Sequence, residues 1–183
     1  MGHLLLAGEA RAELGLERVL LVTTGEATHK RIADDPGAEL RLEMTRLAAA
    51  GEPGVEASGM EVEREGPSYT YLTLERLAAE RPGEQVWLLL GADAAAGLAG
   101  WKRPERVLEL ARVGVVPRPG AGMEAVASAL ERLGSADRAE MIQMPVCGVS
   151  STLIRERAAA GKPLRHLVPG PVIELIERRG LYR

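Results

Sequence analysis

An α/β protein built on a doubly wound parallel sheet is what this sequence predicts. Short, nearly all-apolar runs of strand character alternate with longer segments whose apolar residues recur at helical spacing. Strands apolar on both faces belong to parallel sheets covered by helices on each side. With 183 residues, 46% of them apolar, the chain can fill one core. No internal repeat, low-complexity tract or long linker divides it, so residues 1–183 are expected to form a single domain.

Leu4, Ala7, Ala10 and Leu14 mark one face of a helix that begins almost at Met1 and stops at Gly15. Residues 18–23 (RVLLVT) form an apolar run followed by Thr24-Gly25, the pattern of a buried parallel strand and its loop. Helix returns over 39–50 and is broken at Gly51–Gly54. Residues 55–62 suit one or two short strands, Gly66-Pro67-Ser68 a turn, and 69–81 a helix ended by Pro82-Gly83. A second fully buried strand is expected at 85–90 (QVWLLL), ending at Gly91. Pro104 opens a helix that runs to Ala111, in the first-turn position proline favours, and 112–116 is a third strand stopped by Pro117. Helices over 122–133 and 151–160 flank a strand at 140–144, and a helix over 170–179 closes the chain. One feature departs from the pattern. Doubly wound folds normally open on a central strand whose carboxyl end carries a glycine-rich phosphate loop, whereas this chain opens on a helix, so the first strand is expected to be absent.

Acids and bases are interspersed and the net charge is −3, which argues against a nucleic-acid surface built on a general positive field. An anionic substrate must therefore be held by local groups. Cys147 is the only cysteine, so no intramolecular disulfide forms and a reducing compartment is the natural setting. No apolar run approaches the roughly 20 residues a membrane span requires, and the N-terminus has no signal pattern. A soluble, cytoplasmic protein with neither membrane nor nucleic-acid partners is expected, and a homo-oligomer stays open. Phenylalanine is absent, which confines aromatic stacking to Trp87, Trp101, Tyr69, Tyr71 and Tyr182.

Residues 149–155 (VSSTLIR) are the most informative stretch. Three consecutive hydroxyls, Ser150, Ser151 and Thr152, precede the apolar residues of a helix and offer an N-cap beside free backbone donors. A phosphate could sit there and be met by Arg155 from the same turn. At Gly91-Ala92-Asp93 the glycine permits close backbone approach and Asp93 stands at the rim of the sheet, as a nucleotide contact, a helix N-cap or both. Arg41-Leu42-Glu43-Met44 reads alone as an ordinary amphipathic helix, and Arg41 is given no catalytic role.

Taken together, Met1-Gly2-His3, Leu90-Gly91-Ala92-Asp93 and Ser150-Ser151-Thr152-x-x-Arg155 resemble the active-site set of nucleotidyltransferases, and more narrowly of bacterial nicotinate-nucleotide adenylyltransferase. Residues 62–70 (VEREGPSYT), Trp101 and the ending Gly180-Leu181-Tyr182-Arg183 extend the resemblance over essentially the whole chain from Gly2. It implies a Rossmann-like nucleotidyltransferase fold. In the family a first strand leads into a His-x-Gly-His motif, and Met1-Gly2-His3 matches its last three positions, so only the second histidine is present. Where the family commonly has two prolines before a His-Lys pair, Ala27 and Thr28 precede His29 and Lys30. Leu72 replaces a residue that is usually polar, and Lys102 one that is frequently tyrosine.

The resemblance implies adenylyl transfer from ATP to nicotinate mononucleotide, giving nicotinate adenine dinucleotide and pyrophosphate. It implies catalytic roles for His3, Lys30 and Arg155, and ATP contacts from His3, Gly91, Asp93, Ser150, Ser151, Thr152 and Arg155. The nicotinate nucleotide would meet Ser68, Tyr69, Thr70, Trp101 and Lys102, with Trp101 stacked on the pyridine ring and main-chain N–H groups near Thr70 receiving the carboxylate. Mg²⁺ would accompany ATP, with no metal ligands of the protein's own. Three alternatives follow: an active enzyme whose sheet is completed by upstream residues, a degenerate non-catalytic nucleotide-binding protein, and an adenylyltransferase for another phosphorylated acceptor such as phosphopantetheine. Loss of a central strand would expose two sheet edges, which favours the first.

Overall fold

The computed structural model describes residues 1–27, 34–117 and 123–183. Among these residues five strands, all parallel and alternating with helices, form two sheets, one of two strands and one of three. The chain divides into two compact units, residues 1–68 with 147–183 and residues 69–146.

The first unit opens on α1 (Gly2–Leu14), closed by Gly15 in the left-handed conformation. Leu4, Ala7 and Ala10 are its buried face, at the helical spacing of the sequence. Strand β1 (Val19–Val22) pairs in register with β2 (Val55–Ser58), Val19 opposite Val55 and Val22 opposite Ser58. Between them runs α2 (Ala38–Ala49). The break after α2 is fixed by Arg11, whose Nη1 donates to the Pro53 carbonyl at 2.6 Å. Gly54, at φ 69°, leaves room for that guanidinium, since a Cβ there would fall 2.3 Å from Arg11 Cζ. Two further helices, α7 (Ser151–Ala159) and α8 (Gly170–Arg179), complete this unit. Leu164, Val172 and Ile176 form a small core against which Met44, Leu47, Ile154, Ala158, Leu181 and Tyr182 pack, tying α2, α7 and the C-terminus together.

In the second unit β4 (Arg112–Val116) lies between β3 (Trp87–Gly91) and β5 (Ala139–Met141). Around it are α3 (Thr70–Glu80), α4 (Ala92–Ala96), α5 (Pro104–Leu110) and α6 (Met123–Arg132). Helix α3 packs on α5 and α4 on α6. The core is aliphatic, with Leu98, Val107, Val113, Val115 and Ile142 its largest fully buried side chains.

Full burial, expected of the runs at 18–23 and 85–90, is not reached there; it comes nearest in β4, where Val113 to Val116 are all buried. β1 and β3 are mostly half-buried. Each has a single ladder neighbour among the described residues, so its apolar side chains lack the cover that a second neighbouring strand and its crossover helix would supply. Residues 55–62 yield one strand, not two, and β5 is shorter than the expected 140–144. Its ladder continues only to Ile142, whose N–H donates to the Val115 carbonyl at 2.9 Å, because β4 runs out at Pro117.

Candidate functional site

In the first unit, α7 begins as the hydroxyl run foreshadows. Ser150 is its N-cap, in extended conformation, and its Oγ accepts from the Leu153 N–H at 3.1 Å. Ser151 and Thr152 occupy the exposed first turn, and Arg155 Nη2 donates to Thr152 Oγ1 at 3.3 Å. The guanidinium is thus folded back toward the amino end of its own helix, where the dipole favours an anion. The start of α1 belongs to the same place. A Cβ built on Gly2 would lie 3.6 Å from the Val149 carbonyl oxygen and 3.7 Å from Cys147 Sγ, so the helix carrying the exposed His3 begins against the segment that feeds α7.

Tyr182 supports this arrangement from behind. Its ring packs in the cluster with Ile154 and Met44, and its hydroxyl sits 4.0 Å from Met44 Sδ. Burial pushes the phenol's pKa up; Arg155 pulls it down, Asp35 raises it and Arg41 lowers it.

Ser68 also lies in the first unit, but it is engaged in a structural contact. Its Oγ accepts from the Gly25 N–H at 3.0 Å and its own N–H donates to the Glu26 carbonyl at 2.9 Å. His29 and Lys30, expected on the loop after β1, lie outside the described residues.

The second unit holds the remaining expected site residues. Gly91 ends β3 and is itself the N-cap of α4, so Asp93 falls inside the first helical turn and does not cap it. An exposed carboxylate there is favoured by the helix dipole. Tyr69 is the N-cap of α3 and Thr70 its first residue, and no side chain caps that end. Trp101 is half-exposed in an extended loop after a short 3₁₀ turn (Leu98–Gly100), followed by the exposed Lys102. Sequence reasoning missed Arg103. Its guanidinium lies 5.2 Å from the centroid of the Tyr71 ring, which stacks at 6.0 Å on Tyr69. Arg103 has φ 51° directly before Pro104. A proline steers the residue before it toward extended backbone, not toward the left-handed conformation Arg103 adopts, so no local signal pointed to it.

Among the described residues no group of three or more His, Cys, Asp or Glu side chains is placed to hold a metal ion. Nor is any helix among them long and apolar enough to cross a membrane.

Comparison with known proteins bears on both units. The cytidylyltransferase-like family model matches residues 1–157. A protein of Roseiflexus sp. (strain RS-1) named "probable nicotinate-nucleotide adenylyltransferase" is 43% identical over 182 residues, covering 100% of this chain and 91% of its own length. One of the same name from Gloeobacter violaceus is 39% identical over 189 residues, covering 99% and 89%. Among solved structures, Plasmodium falciparum nicotinic acid mononucleotide adenylyltransferase complexed with NaAD superposes with a TM-score of 0.77 at 14% identity, over 98% of this chain and 89% of that one. At that identity the likeness establishes the fold alone, a Rossmann-like nucleotidyltransferase fold.

Proposed function

We infer, for a chain that belongs to the cytidylyltransferase-like family and within it to the nicotinate-nucleotide adenylyltransferases, that it transfers the adenylyl group of ATP to nicotinate mononucleotide in NAD biosynthesis. A phosphate oxygen of the mononucleotide attacks the α-phosphorus of ATP in line. One P–O bond forms to the acceptor, the bond from the α-phosphorus to the bridging oxygen breaks, and pyrophosphate leaves with that electron pair. The products are nicotinate adenine dinucleotide and pyrophosphate. A phosphate monoester with second pKa near 6 is already largely ionised at neutral pH, so no general base is needed. Catalysis reduces to alignment and to neutralising charge on the leaving group.

The amino end of α7 carries this reading. Ser150 caps the helix, which leaves the Ser151 and Thr152 hydroxyls and first-turn N–H groups for phosphate oxygens, and Arg155 folds onto that same end. His3, at the start of α1 beside residues 147–149, and Lys30 supply further positive charge or N–H donors. Gly91 and Asp93 are assigned to ATP, and Tyr69, Thr70, Trp101 and Lys102 to the pyridine nucleotide. Ser68 contributes through main-chain placement, its hydroxyl being used by Gly25. Mg²⁺ enters bound to ATP, as part of the substrate. The family model runs through both units, which supports a single nucleotidyltransferase domain, and the substrates and lone Cys147 fit a cytoplasmic setting.

Arg155→Ala tests this assignment. Formation of nicotinate adenine dinucleotide falls by about a hundredfold or more, as for loss of one charged transition-state donor, while the melting temperature barely moves. Near-normal turnover in that variant removes Arg155 from the mechanism.

A further inference from the structure

The main chain that follows β1 lies in no helix or strand and pairs only through a single parallel bridge between Glu26 and Pro67, yet side chains also grip it from two directions. Arg41, on α2, spreads its guanidinium over two consecutive carbonyls, donating from Nη1 to Thr24 and from Nη2 to Gly25 at 3.0 Å. Its Nε donates to Asp35 Oδ1 at 3.0 Å, and that oxygen also accepts from the Gly37 N–H at 3.2 Å. From the other side, Ser68 Oγ accepts from Gly25 N–H and Ser68 N–H donates to the Glu26 carbonyl. Gly25 fits because it lacks a side chain: a Cβ would stand 2.2 Å from the Glu61 carbonyl oxygen. Thr23 is anchored too, its N–H on the Ser58 carbonyl at 3.0 Å and its hydroxyl on Thr45 Oγ1 at 3.0 Å.

We propose that Arg41 and Ser68 form a clamp that holds the Thr24–Glu26 main chain at the carboxyl end of β1 in its working position, with Arg41 a positioning residue for adenylyl transfer. The carboxyl ends of parallel strands are where doubly wound folds place their ligands, so a displaced segment there misaligns bound groups. The planar fork is essential because it meets two acceptors in fixed geometry, which a lysine ammonium does not reproduce. Arg41 is mostly buried, its side chain 22% exposed, so solvent competes little for those bonds. This role rests on the adenylyltransferase reading, but the clamp itself is measurable without substrate.

The test is Arg41→Lys in the whole chain, read in two ways. Amide hydrogen exchange at Gly25 without substrates should quicken at least tenfold, while the amides of β4 keep their protection. Under saturating ATP and nicotinate mononucleotide, kcat should fall by about ten- to a hundredfold, the scale of a misplacement near 1 Å, with each KM within about threefold of the parent. Should Arg41→Lys fail to fold, Asp35→Asn weakens the same fork from an exposed position and should give a smaller change in both readouts. Unchanged exchange at Gly25 refutes the clamp. Faster exchange with unaltered kcat refutes positioning. A parent protein that forms no dinucleotide overturns the adenylyltransferase reading and the positioning role with it, while the exchange result still decides whether the clamp exists.

Discussion

Position 150 separates what the α7 cap does for the fold from what its first turn does for a ligand. Ser150→Ala removes one acceptor, the Oγ that receives the Leu153 N–H at 3.1 Å. Such caps are worth about 1 kcal/mol. None of the nine residues of α7 is fully buried, and the helix is attached chiefly through Ile154 and Ala158, so packing offers little to replace the lost bond. For a chain of this length the expected fall in melting temperature is about 2–4 °C. Ser150→Asp restores an acceptor and adds a charge the helix dipole favours, so it should melt like the parent. A carboxylate beside a bound phosphate is repelled, by about 1 kcal/mol at 4 Å in a water-like dielectric, which fits this exposed site. KM for ATP should then rise about fivefold or more in Ser150→Asp. Calorimetry and initial rates over an ATP series read the two effects separately. An aspartate variant with parental stability and unchanged KM for ATP would refute phosphate binding at α7, and an unshifted alanine variant would refute the cap.

Gly25→Ala should destabilise the protein by about 3 kcal/mol or more, because the added methyl would stand 2.2 Å from the Glu61 carbonyl oxygen and main chain must shift to admit it; urea unfolding measures it. Trp101→Ala should raise KM for nicotinate mononucleotide by about tenfold and leave that for ATP within twofold, with Trp101→Phe intermediate, as a stacking role requires. For Tyr182, burial raises the folded-state pKa above the ordinary phenol value of about 10. Its contribution is therefore full below pH 10 and lost as the pH climbs through the raised value, and Tyr182→Phe should flatten that alkaline loss of melting temperature.

Much of this was legible in the sequence because local rules and tertiary structure agree. β4 was read residue for residue, since Val113, Val115 and Val116 are both strand formers and core. α8 and the cap at Ser150 followed from terminal residues of the right chemistry. The extent of α4 was not legible, because its alanine run carries no apolar periodicity and only the cap reading of Asp93 hinted at a helix there. Asp93 shifted from cap to first turn because Gly91 serves as strand end and cap at once. The Arg41 fork and the Ser68 acceptor escaped for another reason. Arg41 grips carbonyls 16 and 17 residues earlier in the chain, and Ser68 accepts from an amide 43 residues away. Neither pairing leaves a trace in local composition, and an arginine on an amphipathic helix looks like any solvated charge.

Incubating the purified chain with ATP and, in parallel, nicotinate mononucleotide, nicotinamide mononucleotide or phosphopantetheine, and quantifying dinucleotide and pyrophosphate together, bears most directly on function. Nicotinate mononucleotide should give nicotinate adenine dinucleotide and pyrophosphate in equal amounts, at a rate above the other acceptors. Retained ATP binding with no dinucleotide from any acceptor, or faster transfer to phosphopantetheine, would contradict the assignment.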